Sequence, residues 1–203
     1  MAPAAQPLSG PPTSDNRNRH PSEQRCEWIG GQLFAMSPSP GSWHQQIAGE
    51  LYVALKSFLR HKPCRVFIAP LDVRLSADDI VQPDLLVVCD TQQIKSTHIA
   101  GPPALVIEIL SPATLQHDRL RKVNLYARCG IQEYWLVTTY PGLVEVLALV
   151  DGSYRIAGTY APEDTLRSKV LPGLELPLEP IFAFPLEGGE PPEYVREASS
   201  LYA

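Results

Sequence analysis

Two carboxylates stand inside apolar runs of this chain. VQPDLLVV (Val81 to Val88) carries Asp84, and ALVIEIL (Ala104 to Leu110) carries Glu108. A short, almost wholly apolar run such as the second reads as a strand covered on both faces. An ionised carboxylate buried there without a partner is strongly unfavourable, so each acid needs a cation, hydrogen-bond donors or an altered pKa. Strand alternation puts Asp84 on the face of Leu86 and Val88, and Glu108 on the face of Val106 and Leu110. Two such acids in adjacent strands suggest a shared partner.

The following helix offers one. Asp118 and Lys122 are four residues apart and lie on one face, with Tyr126 a further turn along. A lysine stem reaches from a helix packed on a sheet to the strand ends, so Asp84, Glu108 and Lys122 can converge. Each carboxylate alone fits a buried ion-pair network as well as it fits a site. The three together, in this element order, favour a site.

The rest of the pattern supplies the frame. Glu27 to Ala35 holds Gly30-Gly31 between apolar pairs and predicts a short hairpin. From Trp43 to Leu59, Ile47, Leu51, Leu55 and Leu59 recur every four residues, which predicts an amphipathic helix. Arg65 to Leu75 and Ile80 to Cys89 read as strands, as does Ala104 to Leu110. Leu115 to Cys129 reads as a helix closed by Gly130. Ile131 to Thr138 is another strand, followed by a hairpin, Leu143 to Leu149 and Tyr154 to Thr159, around Asp151-Gly152. The order helix, three strands, helix, strand, then a β-rich tail points to a mixed α/β sheet with helices packed on it.

At 203 residues the chain is long enough for one domain with appendages. Residues 1–20, rich in Pro, Ser and Asn, read as a disordered arm, residues 21–185 as the domain, and residues 186–203 as an acidic, Pro-containing tail. No apolar stretch approaches the ~20 residues of a membrane-spanning helix. No secretory signal is evident at the N-terminus, and a soluble, cytoplasmic protein is expected. The four cysteines show no CxxC pair or compact framework, so reduced thiols are expected. A zinc site from His61 and Cys64 is the weaker reading of that spacing.

The net charge of −5 argues against nonspecific nucleic-acid binding. The acidity lies in the last third, while the middle keeps two basic clusters, Arg60/Lys62/Arg65 and Arg119/Arg121/Lys122. From charge alone these read as solvated faces. Ser111 lacks the glycine pattern of a hydrolase nucleophile and reads as a helix-start residue. Tyr134 and Trp135 read as core. The absence of a glycine-rich nucleotide loop argues against an ATP-driven enzyme.

PDLLVV, then LVIEILSPAT, then HDRLRKVNLYARCGIQEYWLV (His117 to Val137) together resemble the Uma-two family of restriction-endonuclease-like proteins, within the PD-(D/E)XK nuclease superfamily. The resemblance runs from about Cys26 to about Phe184 and includes CEWIGGQL, SPSPGSWHQQIAGEL and VLPGLELPL. It implies a restriction-endonuclease-like core (α-β-β-β-α-β) with flanking helices and extra β-hairpins. The family's aspartate falls on Asp84 and its glutamate on Glu108. Its lysine, moved from the strand to the next helix, falls on Lys122, because the usual position two residues after the acid is Leu110. Glu27 and His44 lie in the family's motifs and are implied accessory residues, while Asp118 is an accessory candidate for holding Lys122 or a second metal, with an i,i+4 surface pair as the simpler reading.

The resemblance also implies chemistry. Asp84 and Glu108, with the main-chain carbonyl of Ile109, would hold Mg²⁺ or Mn²⁺, and protonated Lys122 would position water or stabilise charge on phosphorus. That predicts an endonuclease acting on DNA, functioning as a homodimer by analogy with the fold. The competing expectation is a nuclease-like DNA- or protein-interaction module whose triad is only an ion-pair network. A glycosidase using the same two acids gives Lys122 no role.

Overall fold

The computed structural model describes residues 26–36, 41–110 and 117–183, with side chains from 121 onward in the last stretch. The expected arm at 1–20, the tail at 186–203, Ser111 and the Asp118 side chain lie outside these. In chain order the elements are β1 (Cys26–Ile29), β2 (Gln32–Ala35), α1 (Ser42–Phe58), β3 (Arg65–Ile68), β4 (Asp72–Arg74), β5 (Ile80–Val81) and β6 (Leu85–Val88). Then come β7 (His98–Ala100), β8 (Leu105–Leu110), α2 (His117–Arg128), β9 (Glu133–Thr138), β10 (Leu143–Val150) and β11 (Ser153–Tyr160). Strands β12 (Thr165–Arg167) and β13 (Glu175–Pro177) and the single turn α3 (Glu179–Phe182) follow.

The fold is mixed α/β, of restriction-endonuclease-like architecture. A six-stranded sheet runs β11-β10-β9-β8-β6-β3, with β8 and β9 parallel and its other neighbours antiparallel. A smaller five-stranded sheet runs β2-β1-β5-β4-β7, and β12 pairs with β13. Residues alternate along the central strands. Leu85, Val87, Ile107, Trp135 and Val137 share a core with α1, while Leu86, Val88, Val106, Leu125 and Tyr134 share the other with residues of the small sheet. The central sheet is thus covered on both faces, as its apolar strands require.

Local sequence explains most elements. Ile47, Leu51 and Leu55 form the buried stripe of α1. Gly30 and Gly31 (φ 59° and 74°) and Asp151 and Gly152 (φ 51° and 77°) take the left-handed conformations of tight hairpin turns. Tyr134 and Trp135 are core residues as read from sequence.

Two expected strands are each broken by a proline. The run Arg65 to Leu75 is β3 and β4, in different sheets, parted at Pro70; the run Ile80 to Cys89 is β5 and β6, parted at Pro83. Proline has no N–H for the ladder and ends the pairing. Asp84 therefore sits just before β6 rather than within a strand, and its backbone carbonyl accepts from Ala69 N–H at 2.9 Å.

The expectation of reduced thiols is corrected for two of the cysteines. Cys64 and Cys89 form a disulfide, which removes Cys64 from any zinc site. The cause is register: Arg65 lies opposite Val88, so the residues just outside that pair face each other across β3 and β6. Cys26 and Cys129 are not disulfide-bonded. No described helix is long and apolar enough to cross a membrane.

Candidate active site

The antiparallel register of β6 and β8 sets Leu85 opposite Ile107, which places Asp84 beside Glu108 at the C-terminal end of β8. Asp84 is bound along the backbone of that strand: the Ile109 N–H donates to its Oδ2 at 2.8 Å. From the other side α1 brings His44, whose Nε2 lies 3.1 Å from the same oxygen. His44 is early in α1 because the helix starts at Ser42, and the buried stripe beginning at Ile47 fixes its rotation.

Glu108 meets Lys122 and Tyr126 of α2. Lys122 Nζ lies 2.9 Å from Glu108 Oε1 and 3.0 Å from Glu27 Oε1. One helical turn later, Tyr126 donates its hydroxyl to Glu108 Oε1 at 2.7 Å. Glu27 comes from β1 of the small sheet, and the Gln82 N–H donates to its Oε1 at 2.9 Å. Glu27, Glu108 and Lys122 are all buried. Asp84 is the most open acid of the group, its side chain 21 % exposed.

This grouping governs protonation. Burial is the main cause that lifts Glu108 to about 7, and the charges of Asp84 and Glu27 add to it, against the lowering effects of Lys122 and Tyr126. For Lys122 burial works toward neutrality, but the charges of Glu108 and Glu27 outweigh it and raise its pKa. The lysine is an ammonium throughout the physiological range. Burial and the Glu108 charge push the Tyr126 hydroxyl well up, so it stays a donor.

Of the residues singled out by sequence, Asp84 with His44, and Glu108 with Lys122 and Glu27, come together, and the adjacent residues Glu108 and Ile109 join the two sets. The basic cluster Arg119/Arg121/Lys122 is not one solvated face, since Lys122 is buried here and Arg121 stacks on the Phe34 ring at 3.9 Å. Two contributors were missed as site members. Tyr126 carried a usable signal, its spacing of four from Lys122; the Gln82 main-chain donor carried none.

The donor set suits a hard divalent cation, because Asp84 and Glu108 offer carboxylate oxygens. Among the described residues, the hydrogen bonds to these acids fall on Oδ2 and on Oε1 respectively, leaving one oxygen on each. No group of three or more His, Cys, Asp and Glu is gathered to hold a metal among the described residues. A cation here would keep water or substrate oxygens, the mode Mg²⁺ favours with one or two carboxylates.

Comparison with known proteins gives three findings. Residues 15–179 match the family Uma2, described as "Putative restriction endonuclease". An uncharacterized protein of Synechocystis sp. is 28% identical over 161 residues, which is 78% of this chain and 84% of that protein. The crystal structure of "a putative nuclease belonging to DUF820" from Anabaena variabilis superposes with a TM-score of 0.67 at 22% identity, covering 85% of this chain and 98% of that one. At that identity the likeness speaks for the fold.

Proposed function

The chain belongs to the Uma2 family, and from that premise we propose that it is a divalent-metal-dependent endonuclease that hydrolyses DNA phosphodiester bonds. The observation that carries the reading is the Lys122 ammonium held within 3.0 Å of both Glu27 and Glu108, beside Asp84 at the end of β8. Asp84, Glu108 and the Ile109 carbonyl would hold Mg²⁺ or Mn²⁺. When bound, such an ion polarises the phosphodiester and lowers the pKa of a coordinated water.

The chain's own residues do the rest. Lys122 stays protonated and offers N–H donors where negative charge builds on the phosphate oxygens. Glu27 positions that ammonium, Tyr126 orients the Glu108 carboxylate, and His44 with the Ile109 N–H fixes Asp84. Asp118 lies one turn before Lys122 on α2 and is an accessory member of the proposal. This fold often works with paired sites, so the working unit is a homodimer by analogy.

One observation favours a second reading, a nuclease-like module without catalysis that binds DNA or protein. Lys122 is buried between two carboxylates, which is also what a structural ion-pair network looks like. The test is incubation of the full chain with supercoiled, linear duplex and single-stranded DNA in Mg²⁺ or Mn²⁺, beside Lys122→Ala. The nuclease reading expects cutting by the parent and none by the variant. A folded, metal-binding protein that cuts nothing supports the second reading instead.

A further inference from the structure

The first turn of α1 carries two rings in succession. His44 reaches Asp84, while the Trp43 ring meets Tyr140 edge-to-face, with centroids 5.8 Å apart and planes at 66°. Tyr140 closely follows β9, and β9 runs parallel to β8 with Leu110 opposite Thr138. Trp43 and Tyr140 are therefore at the same end of the sheet as Glu108 and Asp84. Phe182 of α3 closes a third side, packed so near Gly142 that a Cβ there would lie 2.8 Å from its ring. Together they frame a groove of about 340 Å³, with Glu179 also in its lining.

The chemistry of the groove narrows its occupant. Among the described residues no lysine or arginine lines it, and Glu179 is acidic, so a phosphate is repelled. Aromatic walls take a flat ring by stacking, and a carboxylate accepts N–H donors such as an exocyclic amino group. The volume is at the low end of the ~300–1,000 Å³ range of ligand pockets, which suits a single small ring system. Of the parts of a nucleic-acid strand, only the base has an uncharged aromatic face and N–H donors on its edge. The link between groove and acids is covalent, since Trp43 and His44 are consecutive residues.

We propose that this groove binds one unstacked nucleobase of the strand whose phosphate a divalent ion at Asp84 and Glu108 would hold. The proposal rests on the nuclease reading and sharpens it. A base in an intact duplex is unavailable unless it is flipped out, so the protein should prefer single-stranded or unpaired substrate.

The test is fluorescence anisotropy of the full chain with labelled oligodeoxycytidine of about 12 nucleotides, a typical single-strand site length. The same strand with central abasic sites and a duplex of equal length are the comparisons, with Ca²⁺ in place of Mg²⁺ to hold cleavage back. The parent should bind the intact strand about tenfold more tightly than the abasic strand, the effect of one stacked base. Tyr140→Ala and Trp43→Ala should each remove that difference, Trp43→Phe should keep it, and abasic-strand and Mn²⁺ affinities should not move. Tyr140 is 40 % exposed, so its truncation spares the core, and circular dichroism checks the fold. Equal binding of intact and abasic strands, with DNA cleavage and Mn²⁺ binding intact, overturns the base subsite and leaves the nuclease reading standing. Binding of no nucleic acid overturns both.

Discussion

Two glutamates are buried on neighbouring parallel strands of this sheet, and they are held in opposite ways. Glu133, at the start of β9, is fully buried and both of its oxygens are occupied. Oε1 accepts from Trp135 Nε1–H at 2.8 Å and Ser168 hydroxyl at 2.7 Å, and Oε2 from the Lys169 N–H at 2.8 Å and the Val170 N–H at 3.4 Å. Glu108, near the end of β8, accepts among the described residues from Lys122 and Tyr126, both on Oε1, and Glu27 competes for the same ammonium. The first arrangement ties a loop to a strand with neutral donors. The second gathers like charges and leaves a carboxylate oxygen without a partner among the described residues, the feature the proposed cation site would use.

The largest effect should come from breaking the charged set. Lys122→Gln should lower DNA cleavage by about 10²- to 10³-fold, the scale seen when a donor that stabilises developing charge is removed. Glu133→Gln should leave the cleavage rate per folded molecule near that of the parent, measured in a plasmid-nicking time course. Loss of cleavage in a folded Glu133→Gln protein would erase the distinction drawn between the two acids.

Next in size is the reverse effect on stability. Glu133→Ala leaves several buried donors without an acceptor and should cost about 3 kcal/mol, at ~1–3 kcal/mol for each buried group left unsatisfied. Urea unfolding should show it as a lower midpoint. An unchanged midpoint would mean that the loop at 168–171 is held by its apolar contacts alone.

A third effect is a slope with pH. In the unfolded chain Glu108 releases its proton near its ordinary value of 4.5, whereas in the metal-free fold burial holds it to about 7. Between these values the folded protein binds a proton that the unfolded chain has lost, so stability falls as pH rises from about 5 to about 7. Thermal melts in EDTA should show this decline in the parent and a flatter profile in Glu108→Gln. Identical slopes would place the proton elsewhere. The smallest effect is that of Tyr126→Phe, which removes one hydrogen bond to the carboxylate, worth about 1 kcal/mol. It should also move the Glu108 titration upward, because that bond favours the charged form.

What the sequence revealed follows the range of the interactions involved. The hairpins at Gly30-Gly31 and Asp151-Gly152 and the stripe of α1 are local and were legible as patterns. The convergence of Asp84, Glu108 and Lys122 was legible because carboxylates in apolar runs are conspicuous and a lysine on the next helix is within reach. Pro70 and Pro83 lie inside runs whose apolar pattern is continuous, so the partition of each run into two sheets is not legible from the pattern alone. The Cys64–Cys89 disulfide depends on which strands pair and in what register, and the spacing of 25 residues carries no sign of it. The role of Glu133 was not legible in sequence because its partners at 168–170 lie 35 to 37 positions away.

The central claim is that Asp84 and Glu108 hold a divalent ion beside a protonated lysine, and calorimetric titration with Mn²⁺ tests it most directly. The parent protein should bind the ion with a measurable heat, and Asp84→Ala and Glu108→Ala should each abolish that binding while Glu133→Gln retains it. Unchanged Mn²⁺ affinity in both acid variants would contradict the account and leave Glu108 and Lys122 as a buried ion pair without chemistry.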